Sequence, residues 1–270
     1  MFAVQRVRPV RNLVALLALG VTIGACAASQ PPPPRAPAKP AAPELRVGVT
    51  LDSPPFAMQQ GTQMAGIEVD FAMKIASAMR RPLRVVALTW NELIPALVDG
   101  QIDIIMSGMT ITRLRSVRIA FTEPYMDSGM SALIRAGLAE SYPTPASVMT
   151  SSLRIGVTKG TTAETYVREN YRSGQIFPYL SNSDAVADLV PGRVDAFISD
   201  APIVAWFASE HEGQLVPRIR PFLTNEPIGW GFRPQDEALR TNVNQLLAGW
   251  KADGTVTALI KRWLPMWQPR

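Results

Sequence analysis

The sequence predicts an α/β protein of two lobes, each built on a mostly parallel sheet, and two observations carry that expectation. A phrase of buried-strand character, "LRVGVT" at residues 45–50, returns as "LRIGVT" at 153–158, and "VDGQIDIIMSG" at 98–108 returns as "VPGRVDAFISD" at 190–200. Between the members of each pair run segments with helical spacing, and strands that alternate with helices assemble into parallel sheets covered by those helices.

Taken in order, "LRVGVT" is a first strand, and "GIEVDFAMKIASAMRR" follows as a helix whose apolar stripe is Val69, Met73, Ile75, Ala76 and Met79. "PLRVVAL" returns to strand character. "WNELIPALVDG" is a short helix with Asn91 as its cap, Pro95 in its first turn and Gly100 as its stop, and "IDIIMSG" is the strand after it. The second half repeats the logic, with "TTAETYVRENY" after its first strand and "SDAVADLVPG" before its second. The C-terminal stretch "EALRTNVNQLLAGWKADGTVTALIKRWL" is two helices broken at Asp253-Gly254.

The formal charge of +5 is confined to the N-terminus: Arg6, Arg8, Arg11, Arg35 and Lys39 precede Glu44, and the rest balances 22 basic against 22 acidic residues. A neutral folded part gives no footprint for nucleic acid. Residues 1–26 join three arginines to "LVALLALGVTIGAC", an apolar stretch shorter than the roughly 20 residues of a membrane-spanning helix, which is a signal-peptide pattern. Its end, Ile23-Gly24-Ala25-Cys26, resembles a bacterial lipobox, and Cys26 is the single cysteine of the chain. Residues 27–43 are proline-rich. In extended polyproline conformation residues 31–43 span roughly 40 Å, which makes them a tether between a lipid on Cys26 and the folded part.

In parallel sheets ligands bind beyond the carboxyl ends of the strands, where loops and helix N-termini present free N–H groups. Four segments fall there: "TLDSPPF", "SGMTITRLR", "TKGTTAE" and "ISDAP". The second offers the hydroxyls of Ser107 and Thr110, amides around Gly108 and the guanidinium of Arg115, whose planar fork matches a carboxylate. The third places Lys159, Gly160, Thr161 and Thr162 at a helix start, suited to capping or to an anion. The fourth ends an apolar strand in Asp200, a carboxylate suited to a cation such as an ammonium, or to capping a helix. Arg115 and Asp200 together describe a zwitterion. His211, the single histidine, lies in polar "SEHEGQ" and reads as a solvated loop residue, so neither a histidine-based triad nor a metal cluster has a basis, and no cofactor is expected.

From residue 45 to 264 the chain resembles the bacterial extracellular solute-binding proteins of family 3, the polar amino acid-binding components of ABC importers. The resemblance rests on "LRVGVTLDSPPF", "GIEVDFAMKIA", "ELIPALVDGQIDIIMSGMTITRLRSVRIAFTEPY", "IGVTKGTTAE", "GRVDAFISD" and "KADGT", in that order. It implies a two-lobe type II periplasmic binding protein fold, with residues 44–134 and 228–270 forming the first lobe, 135–227 the second, and two hinge strands between them. It further implies that Arg115 binds a ligand α-carboxylate with help from Ser107, Gly108 and Thr110, that the hydroxyl of Thr162 contributes, and that Asp200 takes the α-ammonium. The implied partners are an amino acid, an ABC transporter permease and, through Cys26, a membrane, with the protein monomeric and extracytoplasmic.

At one position the chain departs from that pattern. Ser53 stands where the family usually carries an aromatic residue over the ligand side chain, so a stacking plate is either missing or supplied by Phe56 or Trp90. Lys159 either approaches an acidic or amide ligand side chain or faces solvent. Two other functions remain on the same scaffold: a cyclohexadienyl dehydratase working with a carboxylic acid, and a sensing module for a membrane receptor.

Overall fold

The structure, a computed structural model, describes residues 42–267. The leader at 1–26, the tether up to residue 41 and the lipidation at Cys26 fall outside the described residues.

The two copies of the repeat lie second from the edge of two five-stranded sheets. In the first sheet Leu45–Val49 lies between Leu83–Ala87 and Ile104–Ile105, parallel to both. Gly231–Phe232 follows antiparallel to Ile104–Ile105, and Ala120–Phe121 pairs antiparallel with it at the edge. In the second sheet Ile155–Thr158 lies between Ile176–Tyr179 and Ala196–Asp200, again parallel to both. Met130–Arg135 then runs antiparallel to Ala196–Asp200, and Leu215–Arg218 antiparallel to Met130–Arg135. One strand in each sheet opposes the other four. Leu45, Val47, Val49, Ile155 and Val157, at alternate positions of the two repeated strands, are fully buried.

The repeat also carries a duplicated polar clasp. In the first lobe Arg46 Nε and Nη2 donate to Asp103 Oδ2 and Oδ1 at 3.2 and 2.6 Å, and Nη1 donates to the Gly100 carbonyl at 2.6 Å. In the second, Arg154 Nε and Nη2 donate to Asp195 Oδ2 and Oδ1 at 2.9 and 2.8 Å, and Nη2 also donates to the Gly192 carbonyl at 2.8 Å. The arginine of "LR-x-G-V-T" thus locks the loop before the next parallel strand in both lobes. Arg154 and Arg135 hold the Asp195 carboxyl down to about 2, against its burial.

The crossing between lobes comes earlier than the resemblance implies. Residues 130–134, expected in the first lobe, belong to the second sheet, with Met130 opposite Asp200 and Ile134 opposite Ala196. Their apolar run suits an interior strand of either sheet, and only the pairing register distinguishes the two. The connections themselves, Met126–Ser128 and Glu226–Ile228, lie side by side as an antiparallel pair.

Among the helices, Ile67–Ala78 forms as expected but in a different rotational phase. Met73 is 51% exposed, and Ile67, Phe71 and Ala72 join Val69, Ile75 and Ala76 on the buried face. The helix at "WNELIPALVDG" is capped by Thr89 rather than Asn91. Glu92 Oε2 accepts from the Thr89 amide at 2.9 Å and from its hydroxyl at 2.7 Å, which starts a short 3-10 turn one residue before Asn91. Glu237–Ala252 and Thr255–Trp263 are separated at Asp253-Gly254 as expected, with Gly254 at φ +80°, and their Val243, Leu247, Val256 and Ile260 join the main hydrophobic core.

Candidate functional site

The four segments at the strand ends meet around one small cavity, lined by both lobes. Thr50, Asp52, Ser53, Phe56, Trp90, Ser107, Gly108, Thr110 and Arg115 come from the first lobe, and Thr158, Thr161, Thr162, Asn182 and Asp200 are among those from the second.

In the first lobe, the Ser107 hydroxyl oxygen accepts from the Thr50 amide at 2.9 Å, which leaves its hydrogen for a guest. Thr110 forms an isolated bridge with Ile228, and the bonds around it belong to its neighbours: Ile111 to the Pro227 carbonyl at 2.8 Å and Gly229 to the Met109 carbonyl at 3.1 Å. The amide and carbonyl of Thr110 therefore turn to the opposite side, where the carbonyl accepts from Arg115 Nη1 at 2.8 Å. That bond and the Trp90 ring, 5.2 Å from the guanidinium carbon, hold Arg115 in place. Burial lowers the guanidinium from its ordinary value while Asp200 and Glu226 oppose the shift, and an arginine stays protonated through such changes.

In the second lobe Thr161 caps the helix Thr162–Asn170 by accepting from the Glu164 amide at 3.2 Å, while its own hydroxyl donates to the Thr158 carbonyl at 2.6 Å. Thr162, at the first helical position, lines the cavity. Asp200 precedes the helix Ala201–Glu210 without capping it by its side chain, and Pro202 removes one donor that a cap would take. Its Oδ1 is buried with no hydrogen-bond partner. Burial pushes the Asp200 carboxyl up to about 7, Glu226 pushes the same way, and Arg115 pulls it down. Among the described residues neither Arg115 nor Asp200 makes an ion pair.

The lobes also touch each other directly. The Asp52 carboxylate accepts from the Asn182 and Ser183 amides and the Ser183 hydroxyl, all at the start of the second-lobe helix Asn182–Leu189. In return Asn182 Nδ2 donates to the Asp52 carbonyl at 2.6 Å. On the other side of the cavity Trp90 Nε1 donates to the Gly160 carbonyl at 2.9 Å. These bonds describe lobes closed on one another.

Two expectations, the free Gly108 amide and Lys159, need correction. The Gly108 amide is not free for a ligand, because it donates to Glu68 Oε1 at 2.6 Å. Phe56 is fully buried beneath Gly108, where a Cβ would come within 2.7 Å of its ring, so it supports the loop from below as well as lining the cavity. Lys159 is exposed and outside the cavity lining, its amide held by the Tyr179 carbonyl at 2.9 Å. Sequence reasoning missed Asp52, although it lies beside Ser53, and it missed Glu226 and Glu68. Glu226 is buried next to Asp200, with Oε1 accepting from the Thr224 hydroxyl at 2.9 Å and Oε2 unpartnered.

Comparison with known proteins agrees with this architecture. The sequence profile of the bacterial extracellular solute-binding proteins, family 3, matches residues 45–266. The ABC transporter arginine-binding protein 1 of Escherichia coli K12 is 28% identical over 229 residues, which cover 83% of this chain and 92% of that protein. An ABC transporter binding component from Wolinella succinogenes, solved in complex with lysine, superposes with a TM-score of 0.77 at 34% identity, over 82% of this chain and 95% of that one. The ancestral amino acid-binding protein AncCDT-1, a precursor of cyclohexadienyl dehydratase, gives 0.76 at 33% identity over the same shares. The profile match spans both lobes and both connections between them, and the chain belongs to the bacterial extracellular solute-binding proteins of family 3.

Proposed function

We propose that the protein captures an amino acid between its closing lobes and delivers it to the permease of an ABC importer. The observation that carries this reading is the pair of opposite, unpaired charges facing one cavity from different lobes. Arg115, with the Ser107 hydroxyl and the Thr110 amide, takes the α-carboxylate; Asp200, with Thr162 beside it, takes the α-ammonium. Each buried charge then gains the partner that burial demands, so closure and ligand binding favour each other. The amino acids named for relatives that this chain matches over nine-tenths or more of their length support the ligand class. In this reading the protein is an extracytoplasmic monomer, anchored to a membrane by lipid on Cys26 and held by its proline-rich tether. Calorimetric or thermal-shift titration against the proteinogenic amino acids tests the assignment, and binding of none of them refutes it.

A second reading has one observation in its favour. A cavity carboxyl near pH 7 is a usable general acid, and the neighbour AncCDT-1 is a dehydratase precursor. Turnover of prephenate or arogenate by the purified protein, lost in Asp200→Asn, would establish it.

A further inference from the structure

Glu68 sits in the first turn of the helix Ile67–Ala78 and is wholly buried, with 0% exposure and no cation among its hydrogen-bond partners. Its two oxygens are filled instead by three donors from three separate segments. Oε1 accepts from the Gly108 amide at 2.6 Å and the Tyr125 hydroxyl at 2.8 Å, and Oε2 accepts from Trp230 Nε1 at 2.8 Å. Gly108 lies in the loop that carries Ser107, Thr110 and Arg115. Tyr125 immediately precedes the connecting strand Met126–Ser128, and Trp230 follows the returning strand Glu226–Ile228 by two residues.

Those two aromatic residues mark the first-lobe roots of both connections, and the roots are tied to each other. The Tyr125 amide donates to the Ile228 carbonyl at 2.9 Å, and Thr122 and Trp230 exchange bonds of 3.0 Å. The Tyr125 and Trp230 rings stack at 5.2 Å, and Phe71, one turn beyond Glu68 on its helix, packs against both at 5.4 and 5.2 Å. Gly108 meanwhile holds φ +64° over the Phe56 ring, so the direction of its amide sets how the neighbouring Ser107 and Thr110 face the cavity.

We infer that Glu68 is a positioning residue that couples the hinge to the ligand loop, so that the arrangement of the two connecting strands and the aim of Ser107, Thr110 and Arg115 change together. The inference rests on the reading that this loop holds the ligand. The Gly108 amide and Trp230 Nε1–H can only donate, one to each oxygen, so glutamine would set its own N–H₂ against a donor in either orientation.

The test combines hydrogen exchange of the ligand-free protein with calorimetry, on Glu68→Gln, Tyr125→Phe and their double variant. Tyr125→Phe removes one hinge donor and leaves Gly108 untouched. It should nevertheless speed exchange in peptides covering residues 106–110 by about fivefold or more, as local opening free energy falls. Glu68→Gln should do so in the same peptides and at both connections, and the double variant should add little to it, since coupled residues are not additive. Amino acid Kd should rise about tenfold in Glu68→Gln. Exchange at 106–110 unchanged in Tyr125→Phe, or additive effects in the double variant, would overturn the coupling. Should Glu68→Gln fail to fold, the exchange of Tyr125→Phe at 106–110 decides alone. Absence of amino acid binding by the unaltered protein would refute the proposed function instead, with the exchange arm still deciding the role of Glu68.

Discussion

Arg115 and Asp200 line one cavity from opposite lobes, and each modulates the other's charge without an ion pair between them. The Asp200 carboxyl stands at about 7 because burial outweighs the attraction of Arg115. An arriving ammonium reverses that balance.

Ligand affinity should therefore depend on pH. The ligand ammonium binds the ionised carboxylate, so below about pH 7 binding must release a proton from Asp200. Affinity should rise up to tenfold per pH unit between pH 5 and 7 and level off above, and Asp200→Asn should bind at least roughly thirtyfold more weakly with a flat profile. The empty protein should behave oppositely. An acid with a raised folded pKa holds more protons folded than unfolded between roughly pH 4 and 7, so its stability falls as pH rises through that window. Thermal shifts at several pH values, with and without ligand, check both signs.

Asp52 should act on closure. Asp52→Ala removes the acceptor for the start of Asn182–Leu189 and should raise Kd about tenfold, mainly through faster release, as most interface effects do. Asp52 lies outside the hydrophobic core, so the melting temperature of the empty protein should move little. Stopped-flow release rates and small-angle scattering of the liganded form measure the effect.

The duplicated clasps should matter for stability rather than for binding. Asp195→Asn leaves the amide group facing Arg154 and Arg135, and should cost about 1–3 kcal/mol, or several degrees in Tm, with Kd per folded molecule unchanged. Because Asp195 is held down to about 2, its contribution is fully present above the ordinary carboxylate range and is lost as pH falls through about 2. Thermal denaturation of the variant and of the parent in acid measures it.

Cys26→Ser should release the protein from membranes into the soluble extracytoplasmic fraction without altering ligand affinity. Fractionation followed by immunodetection checks this, and continued membrane attachment would refute lipid anchoring.

Much of the fold was legible because "LRVGVT" and "LRIGVT" are largely apolar phrases repeated in sequence, and the segments after buried strands that carry Arg115 and Asp200 stand out against that background. What escaped depends on which segments the fold brings together. Asp52 lies in a loop already singled out, but nothing local says that a helix start 130 residues later supplies its donors. Glu68 in a first helical turn reads as a complement to the helix dipole, and only the tertiary structure converges Gly108, Tyr125 and Trp230 upon it. Met73 fits a helical period as well as Ala72 does, so the buried face of its helix was settled by packing.

Calorimetry of the unaltered protein and of Arg115→Ala against the full set of amino acids tests the central claim most directly. At least one amino acid should bind the parent, and Arg115→Ala, folded, should lose about 2 kcal/mol or more, at least roughly thirtyfold in Kd. Equal affinity in the two proteins would contradict the account.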